Sequence, residues 1–302
     1  MGTADFACPT LAALNDTPRI EVVAVITQPD RPKGRQLILH PSPVKLEAES
    51  HHLRVHQPER LRNDISFLEQ LAPGLIVVVA YGQILPQAIL DLPPHGCLNV
   101  HGSLLPAYRG AAPIQRAILD GQAATGVTIM QMDAGLDTGA ILSKTATPIE
   151  PTDNAQTLHD RLAKLGAELL LKTIPHHVAG EIAAKPQDDT LATLAAKITR
   201  DMGRIDWSQP APQLWNRARA FTPWPGVFTR LAGKLLKLLE VEPANADCPG
   251  PGVVGQADAD GIVVGCGNGA LRITQLQKEG AKRLAAAEFL AGTPLPAGTQ
   301  LG

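Results

Sequence analysis

Apolar and polar stretches alternate along the first 180 residues and predict strands and helices in turn. The clearest strand is residues 75–80, a continuous apolar run typical of a parallel strand covered on both faces. Four more strands are predicted, at residues 19–27, 55–57, 97–101 and 127–132. Helical stretches fall between them, at about 44–50, 64–71, 85–91 and 112–120. This alternation predicts an α/β fold with a doubly wound, mostly parallel sheet, which is a Rossmann-like arrangement.

The pattern changes in the second half of the chain. A long helix is predicted from about 155 to 178, because large aliphatic residues recur there near helical spacing. Residues 181–197 are polar and rich in alanine, as a linker would be. Short strand-like pieces then follow, separated by Pro and Gly clusters, at 227–231, 235–241, 253–256, 262–265 and 271–276. Such spacing predicts a small OB-like β barrel. We therefore predict a first domain over 1–180, a linker over 181–204 and a second domain over 205–302.

Composition and charge narrow the class of protein. The 302 residues are 44% hydrophobic and 19% charged, as in ordinary globular proteins. The net charge of −2 gives no global attraction for nucleic acid, but the charge is unevenly divided. Residues 198–302 contain 11 Lys/Arg and 9 Asp/Glu, against 16 and 20 in the rest of the chain. This asymmetry weakly favours a polyanionic partner at the C-terminal end.

Cysteine usage and hydropathy indicate where the protein works. The four cysteines are widely spaced and include no C-x-x-C pair, which favours reduced thiols over a disulfide framework or a zinc site. No apolar run approaches the roughly 18–20 residues that a membrane span needs. The first residues also lack the basic and apolar regions of a signal peptide. We expect a cytoplasmic protein.

Candidate chemistry lies at the end of the predicted strand 97–101. Asn99 and His101 are two residues apart, so in a strand their side chains project from one face. The strand ends at a loop that begins with Gly102, and ligands of α/β sheets bind at this carboxyl end of the strands. An amide, an imidazole and the carboxylate of Asp137 can stabilise an oxyanion and move a proton. No serine, cysteine or lysine nucleophile is evident beside them, which points to a transferase whose substrate supplies the attacking atom.

These features also have plainer interpretations. An Asn-x-His sequence at a strand end is often structural. Gly135 and Gly139 lack the spacing and the lysine of a phosphate-binding loop, and they fit turn glycines that let Asp137 approach a pocket. Trp207 and Trp224 are interpreted as packing residues of the barrel rather than as platforms for base stacking.

A series of short motifs runs along the whole chain in a fixed order. They are GTADFA (2–7), TQPDRP (27–32), PSPVK (41–45), VAYG (79–82), NVHGSLLP (99–106), RGAAPI (109–114), IDWS (205–208), PWP (223–225) and AAEFL (286–290). With these motifs the chain resembles the 10-formyltetrahydrofolate-dependent formyltransferase family. The 99–106 block marks the wider family. The loop at 31–43 and the C-terminal motifs narrow the resemblance to the methionyl-tRNA formyltransferases.

The resemblance implies an activity and a set of site residues. The activity is transfer of a formyl group from 10-formyltetrahydrofolate to the α-amine of methionyl initiator tRNA, which primes translation, and it requires no metal. Asn99, His101 and Asp137 match the catalytic positions of the family. Its folate-binding positions correspond to Ser103, Leu104, Leu105 and Pro106, with Ile84 and Leu85 lining the pterin pocket. Tyr81 either contributes directly or only closes the edge of the core.

The resemblance also implies contacts with tRNA and a first strand. Lys33 and Arg35 of the loop and Lys282 of the C-terminal domain are the candidate tRNA contacts. Lys282 and its basic neighbours fit an ordinary solvated surface equally well. We expect a monomer. Members of the family have a hydrophobic strand just before the GTADFA motif, so we expect an in-frame apolar strand to precede Met1.

Two rival functions remain open from the sequence. One is a formyltransferase acting on a sugar nucleotide or on glycinamide ribonucleotide, which would keep Asn99, His101 and Asp137 without needing residues 205–302. The other is a tRNA-binding module that lacks catalysis. Comparing formyl transfer to charged initiator tRNA with transfer to the small substrates distinguishes the first rival from the tRNA formyltransferase that the resemblance implies. Binding of tRNA without turnover would favour the second.

Overall fold

The chain forms two compact units whose elements follow the alternating pattern of the sequence. This computed structural model describes residues 1–33, 38–63 and 65–302, apart from the side chains of Lys33 and Asn63. The first unit contains Met1–Pro113, Ala124–Pro148 and His159–Ala195, and the second contains Ile114–Ala123, Ile149–Leu158 and Ala196–Gly302. The domain boundaries drawn from the sequence stay predictions.

The first unit alternates strands with helices. Its strands are β1 (Val25–Ile26), β2 (Arg31–Lys33), β3 (Ile38–His40), β4 (Val55–His56), β5 (Ile76–Val78), β6 (Cys97–His101), β7 (Arg109–Gly110), β8 (Ala124–Gln131), β9 (Ile141–Pro148) and β10 (Leu194–Ala195). Its helices are α1 (Cys8–Asn15), α2 (Pro43–Ser50), α3 (Ser66–Leu71) and α4 (Gln87–Leu90). Helix α5 (Pro113–Leu119) belongs almost wholly to the second unit, whereas most of α6 (Ala155–Val178) belongs to the first.

The main sheet of the first unit has the order β5-β6-β8-β9. Strands β5 and β6 are parallel, as are β1 and β4, whereas β8 runs antiparallel to both β6 and β9. The α/β class is confirmed, and the sheet is mixed. The short connection between β8 and β9 explains why these two strands are antiparallel, because a parallel pair needs a crossover of a dozen or more residues.

The predicted strand at 19–27 is largely wrong, since only Val25–Ile26 is a strand. A β-strand requires a hydrogen-bonded neighbour, and β4 offers only two residues for pairing. Residues 20–24 instead line a mostly apolar cavity of about 390 Å³, together with residues 75–77. In this stretch the apolar run predicted neither pairing nor burial, since residues 19–24 are exposed or partly exposed and only residues 25–27 are buried. The other predicted elements lie within a few residues of those observed, and α6 matches at both ends.

The second unit is built mainly from antiparallel strands. They are β11 (Val227–Leu231), β12 (Lys234–Ala244), β13 (Val254–Asp258), β14 (Gly261–Gly265), β15 (Ala270–Lys278) and β16 (Leu284–Ala285), with helices α7 (Ala211–Ala220) and α8 (Ala286–Gly292). The sheet order is β11-β12-β15-β14-β13, and β16 pairs with β15. Near the chain end, Leu301 pairs with Leu231 and Gln300 with Val253, next to the two outer strands. These bridges partly close the sheet, in agreement with an OB-like barrel.

The two tryptophans singled out in the sequence differ in their surroundings. Trp207 is buried and donates a hydrogen bond from Nε1 to Thr229 Oγ1 at 3.0 Å, so it is a packing residue as expected. Trp224 is 57% exposed, and the packing interpretation is wrong for it. No local pattern in the sequence indicates this exposure.

None of the helices in the described ranges is both long and apolar enough to cross a bilayer.

Candidate functional site

Strand β6 places Asn99 and His101 on one face of the main sheet. It lies between β5 and β8, with Asn99 opposite Val78 on one side and Met130 on the other. Asn99 is 9% exposed and His101 5% exposed. Within the described part of the chain, the Asn99 amide has no hydrogen-bond partner. A nearly buried amide without a protein partner is available to donate to a bound substrate.

The hydrogen bond of His101 identifies which ring nitrogen is available for chemistry. His101 Nε2 lies 2.9 Å from the carbonyl oxygen of Tyr108. Because a carbonyl can only accept, Nε2 carries a proton and donates it. Nδ1 lies 3.7 Å from Asp137 Oδ2, which is close enough for an ion pair but long for a hydrogen bond. Nδ1 is therefore the atom that can exchange a proton.

Asp137 reaches His101 from a tightly folded loop between β8 and β9. Its φ is +52°, a left-handed conformation that costs a residue with a side chain roughly 1 kcal/mol. Its Oδ2 accepts a hydrogen bond from the Gly110 amide at 2.8 Å. A Cβ on Gly135 would lie 1.9 Å from Thr138 Oγ1, and one on Gly139 would lie 1.8 Å from the Gln131 oxygen. The glycines thus allow close approach within the loop, and the positive φ belongs to Asp137 itself.

The loop after β6 is held by hydrogen bonds from neighbouring strands. The fully buried Ser103 donates its hydroxyl to the Ala107 oxygen at 2.6 Å, so this hydroxyl is used within its own loop. Thr128 of β8 donates to the Ser103 oxygen at 2.7 Å and accepts from the Leu105 amide at 3.1 Å. Lys144 of β9 donates to the Leu105 oxygen at 3.1 Å. Thr128 and Lys144 were missed in the sequence, where a threonine and a lysine in strands carry no special signal.

The bonds of Thr128 lead to a stability prediction. We expect Thr128→Val to lower the free energy of unfolding by about 1–3 kcal/mol, because the isosteric side chain leaves a buried amide and a buried carbonyl unpaired. Chemical denaturation of the purified variant measures this change. Thr147→Val on the neighbouring strand β9, where the side chain is less buried, is the matched control. An unfolding curve identical to that of the unmodified protein would contradict the role given to Thr128.

The residues predicted to line a pterin pocket are not equivalent. Ile84 is 89% exposed and lines an open cavity of about 410 Å³. Leu85 is 5% exposed and packs in the same apolar cluster as Tyr81. The Tyr81 hydroxyl is buried without a partner among the described residues, and burial raises the pKa of Tyr81 to about 12. Tyr81 thus belongs to the core, and Leu85 could meet a ligand only through its backbone. Leu104 and Pro106, by contrast, are partly exposed.

The candidate tRNA contacts are only partly visible. Arg35 lies outside the described residues, as does the side chain of Lys33. Lys282 is exposed in the connection between β15 and β16. Arg219, another basic residue of the second unit, has a structural role, because it donates to the carbonyl oxygens of Glu150 and Asp153 and lies 4.1 Å above the Trp215 ring. In the described ranges, no group of three or more His, Cys, Asp or Glu side chains could hold a metal ion.

Comparison with known proteins places this geometry in a family. Residues 1–174 match the family described as formyl transferase, and residues 197–294 match the formyl transferase C-terminal domain. A methionyl-tRNA formyltransferase from Geobacter metallireducens is 51% identical over 304 aligned positions, covering 100% of this chain and 97% of the relative. One from Pseudomonas paraeruginosa is 52% identical over 290, covering 95% and 93%.

Solved structures share the fold at lower identity. An N-formyltransferase from Helicobacter canadensis, solved with folinic acid and dTDP-3-aminofucose, has a TM-score of 0.67 at 18% identity and covers 92% of this chain and 97% of its own. HypX from Aquifex aeolicus with tetrahydrofolic acid has a TM-score of 0.60 at 20% identity, covering 81% and 43%. Coverage by the first structure extends over much of the second unit, so the likeness in fold is not confined to the first unit. The discriminating finding is the sequence identity of about 50% to methionyl-tRNA formyltransferases over the full length. The chain therefore belongs to the formyltransferase family, among the methionyl-tRNA formyltransferases.

Proposed function

We propose that this protein transfers the formyl group of 10-formyltetrahydrofolate to the α-amino group of methionyl initiator tRNA. The observation that carries the proposal is the arrangement at the end of β6. There, the unpartnered Asn99 amide shares a strand face with His101, whose Nδ1 lies 3.7 Å from Asp137 Oδ2. Full-length relatives of about 50% identity that carry this name support the choice of substrate.

The side chains suit each step of such a transfer. Attack of the neutral amine on the formyl carbon forms a C–N bond and places negative charge on the formyl oxygen. The Asn99 amide donates to this oxygen, and protonated His101 donates through Nδ1, because its Nε2 is held by Tyr108. Asp137 accepts the proton that the amine loses, directly or through a water. The C–N10 bond then breaks, and N10 of the folate takes up the proton that Asp137 accepted, directly or through a water, which restores the carboxylate.

The remaining binding residues belong to the same proposal. Leu104, Pro106 and the backbone at Ser103 and Leu105 would bind the folate, with Ile84 at its outer edge. Lys33, Arg35 and Lys282 would contact the tRNA backbone. We propose that the protein is a monomer. We also propose that it is cytoplasmic, since charged initiator tRNA and reduced folates are both available in the cytoplasm.

A substrate comparison tests the proposal. The full chain is incubated with 10-formyltetrahydrofolate and one of three acceptors: methionyl initiator tRNA, a dTDP-3-amino sugar or glycinamide ribonucleotide. We expect formyl transfer to the charged tRNA, with uncharged tRNA as the control acceptor. Preferential transfer to either small acceptor would overturn the proposal, and so would tRNA binding without turnover.

The tRNA contacts predict a loss of affinity that depends on salt. We expect Arg35→Ala and Lys282→Ala each to raise KM for the tRNA and to reduce the slope of log affinity against log salt by about one, as expected for one lost phosphate contact. The kcat at saturating tRNA should stay unchanged. Lys172→Ala, an exposed lysine on α6, is the matched control. If neither variant changes the slope of log affinity against log salt, both proposed tRNA contacts are contradicted.

A further inference from the structure

Gln187 links the loop that carries Asp137 to a buried arginine. Its Nε2 donates to two carbonyl oxygens of that loop, Asp137 at 2.7 Å and Gly139 at 2.8 Å. Its Oε1 accepts from Arg109 twice, at 3.1 Å from Nε and at 2.8 Å from a terminal nitrogen. The amide therefore uses its donors on the loop and its acceptor on the arginine, which leaves one orientation for the group.

Arg109 fixes this orientation of the Gln187 side-chain amide. It is 7% exposed, and its charged donors strengthen the bonds to the Gln187 oxygen. The next residue, Gly110, donates its amide to Asp137 Oδ2 at 2.8 Å. The backbone of Asp137 and its carboxylate are thus held from the same short strand, β7, once through Gln187 and once directly. The ion pair of Arg109 with Asp189 adds little, because Asp189 is 80% exposed.

The segment around Gln187 is bound to the site on both sides. Lys185 exchanges two backbone hydrogen bonds with Ile141, at 2.8 and 2.9 Å. Further along, Thr193 accepts a hydrogen bond from the Tyr108 amide at 2.9 Å, and Tyr108 is the residue whose carbonyl holds His101. Strand β10 then pairs with β7. The polar segment therefore supports the two residues that form the candidate proton-transfer pair.

We propose that Gln187 is a positioning residue for the reaction, which holds Asp137 in its left-handed conformation with Oδ2 facing His101 Nδ1. This inference rests on the proposed function. The Asp137 conformation is unfavourable by itself, with φ at +52°, and it persists only when its surroundings hold it. Gln187 supplies that restraint by binding the carbonyl oxygens of Asp137 and Gly139, and Leu136 in the same loop is 64% exposed and cannot anchor it.

Two substitutions separate positioning from simple structural support. Gln187→Met keeps the volume and removes all four hydrogen bonds. Gln187→Glu keeps an acceptor for Arg109 but replaces the donors to the loop with an oxygen that repels its carbonyls. We expect both variants to lower kcat by about 10- to 100-fold, the cost of displacing a catalytic group by about 1 Å. The KM values for tRNA and folate should stay close to those of the unmodified protein, and the melting temperature, although lowered by the lost hydrogen bonds, should stay above the assay temperature. Gln87→Met, an exposed glutamine on α4, is the matched control.

A double-mutant cycle with Asp137→Asn completes the test. If Gln187 acts through Asp137, Gln187→Met should cause no further loss of kcat in the Asp137→Asn background. An equal loss in both backgrounds would overturn the positioning role, and so would full activity of Gln187→Glu, since Arg109 alone would then be the partner that matters. A loss in Asp137→Asn with none in Gln187→Met would refute this inference and leave the proposed function standing. Full activity of Asp137→Asn would refute this inference together with the role given to Asp137, whereas the proposed function is refuted only if the unmodified protein transfers no formyl group to charged initiator tRNA.

Discussion

Asn99→Ala is expected to lower kcat for formyl transfer by about 10²- to 10³-fold, the usual cost of removing one oxyanion donor. The physical reason is that Asn99 lies in a central strand and is only 9% exposed, yet its side-chain amide has no hydrogen-bond partner among the described residues. Its loss therefore leaves no protein group unpaired. We expect unchanged stability and unchanged KM for both substrates, because the amide acts on the charge that develops in the transition state.

Single-turnover kinetics with saturating tRNA measures the effect of Asn99→Ala on the chemical step. Asn268→Ala, at an exposed position of the second unit, is the control for an asparagine lost elsewhere. A kcat within about twofold of the unmodified protein would remove Asn99 from the mechanism. A lower melting temperature would instead assign it the plainer structural role that an Asn-x-His sequence often has.

His101→Ala and Asp137→Asn form the second prediction, and each should lower kcat by about 10²-fold or more. His101 Nδ1 and Asp137 Oδ2 are 3.7 Å apart, so they act on the same reacting centre, His101 on the formyl oxygen and Asp137 on the proton of the amine. We therefore expect the double variant to be about as slow as the slower single variant, because residues that act as a unit have non-additive effects. Affinity for tRNA should barely change.

The same single-turnover assay and a separate tRNA-binding measurement check this prediction. Asp91→Asn, which alters an exposed carboxylate beside Gln87, is the control for loss of a negative charge. Additive losses in the double variant would show that His101 and Asp137 act separately. Near-normal turnover in both single variants would remove the mechanism proposed for this site.

Local patterns predicted much of the fold and two of the candidate residues. The ends of α6 and the extent of β6 follow from helical spacing and from a bounded apolar run. The common face of Asn99 and His101 follows from the alternation of side chains along a strand. Residues 19–27 show where this reasoning fails, because a strand needs a hydrogen-bonded partner that only the assembled sheet supplies, and residues 19–24, which lack one, are also left exposed or partly exposed.

Other parts of the site could not be predicted, since their roles depend on residues far apart in the chain. Gln187 lies in a segment whose composition resembles a linker, yet it binds a loop 48 to 50 positions earlier. Thr128 organises the turn at Ser103 and Leu105 from the neighbouring strand. Neither residue type is unusual at its place in the sequence, so no local signal distinguished them.

By itself the sequence determined where most of the helices and strands lie and which polar side chains end β6. These properties depend on the spacing of neighbouring residues. The tertiary structure alone decided that β8 runs antiparallel to β6, that Asp137 comes within 3.7 Å of His101, and that Nδ1 is the free nitrogen of the ring. Those properties are set by hydrogen bonds between segments that are distant in sequence, and such bonds exist only once the sheet has formed.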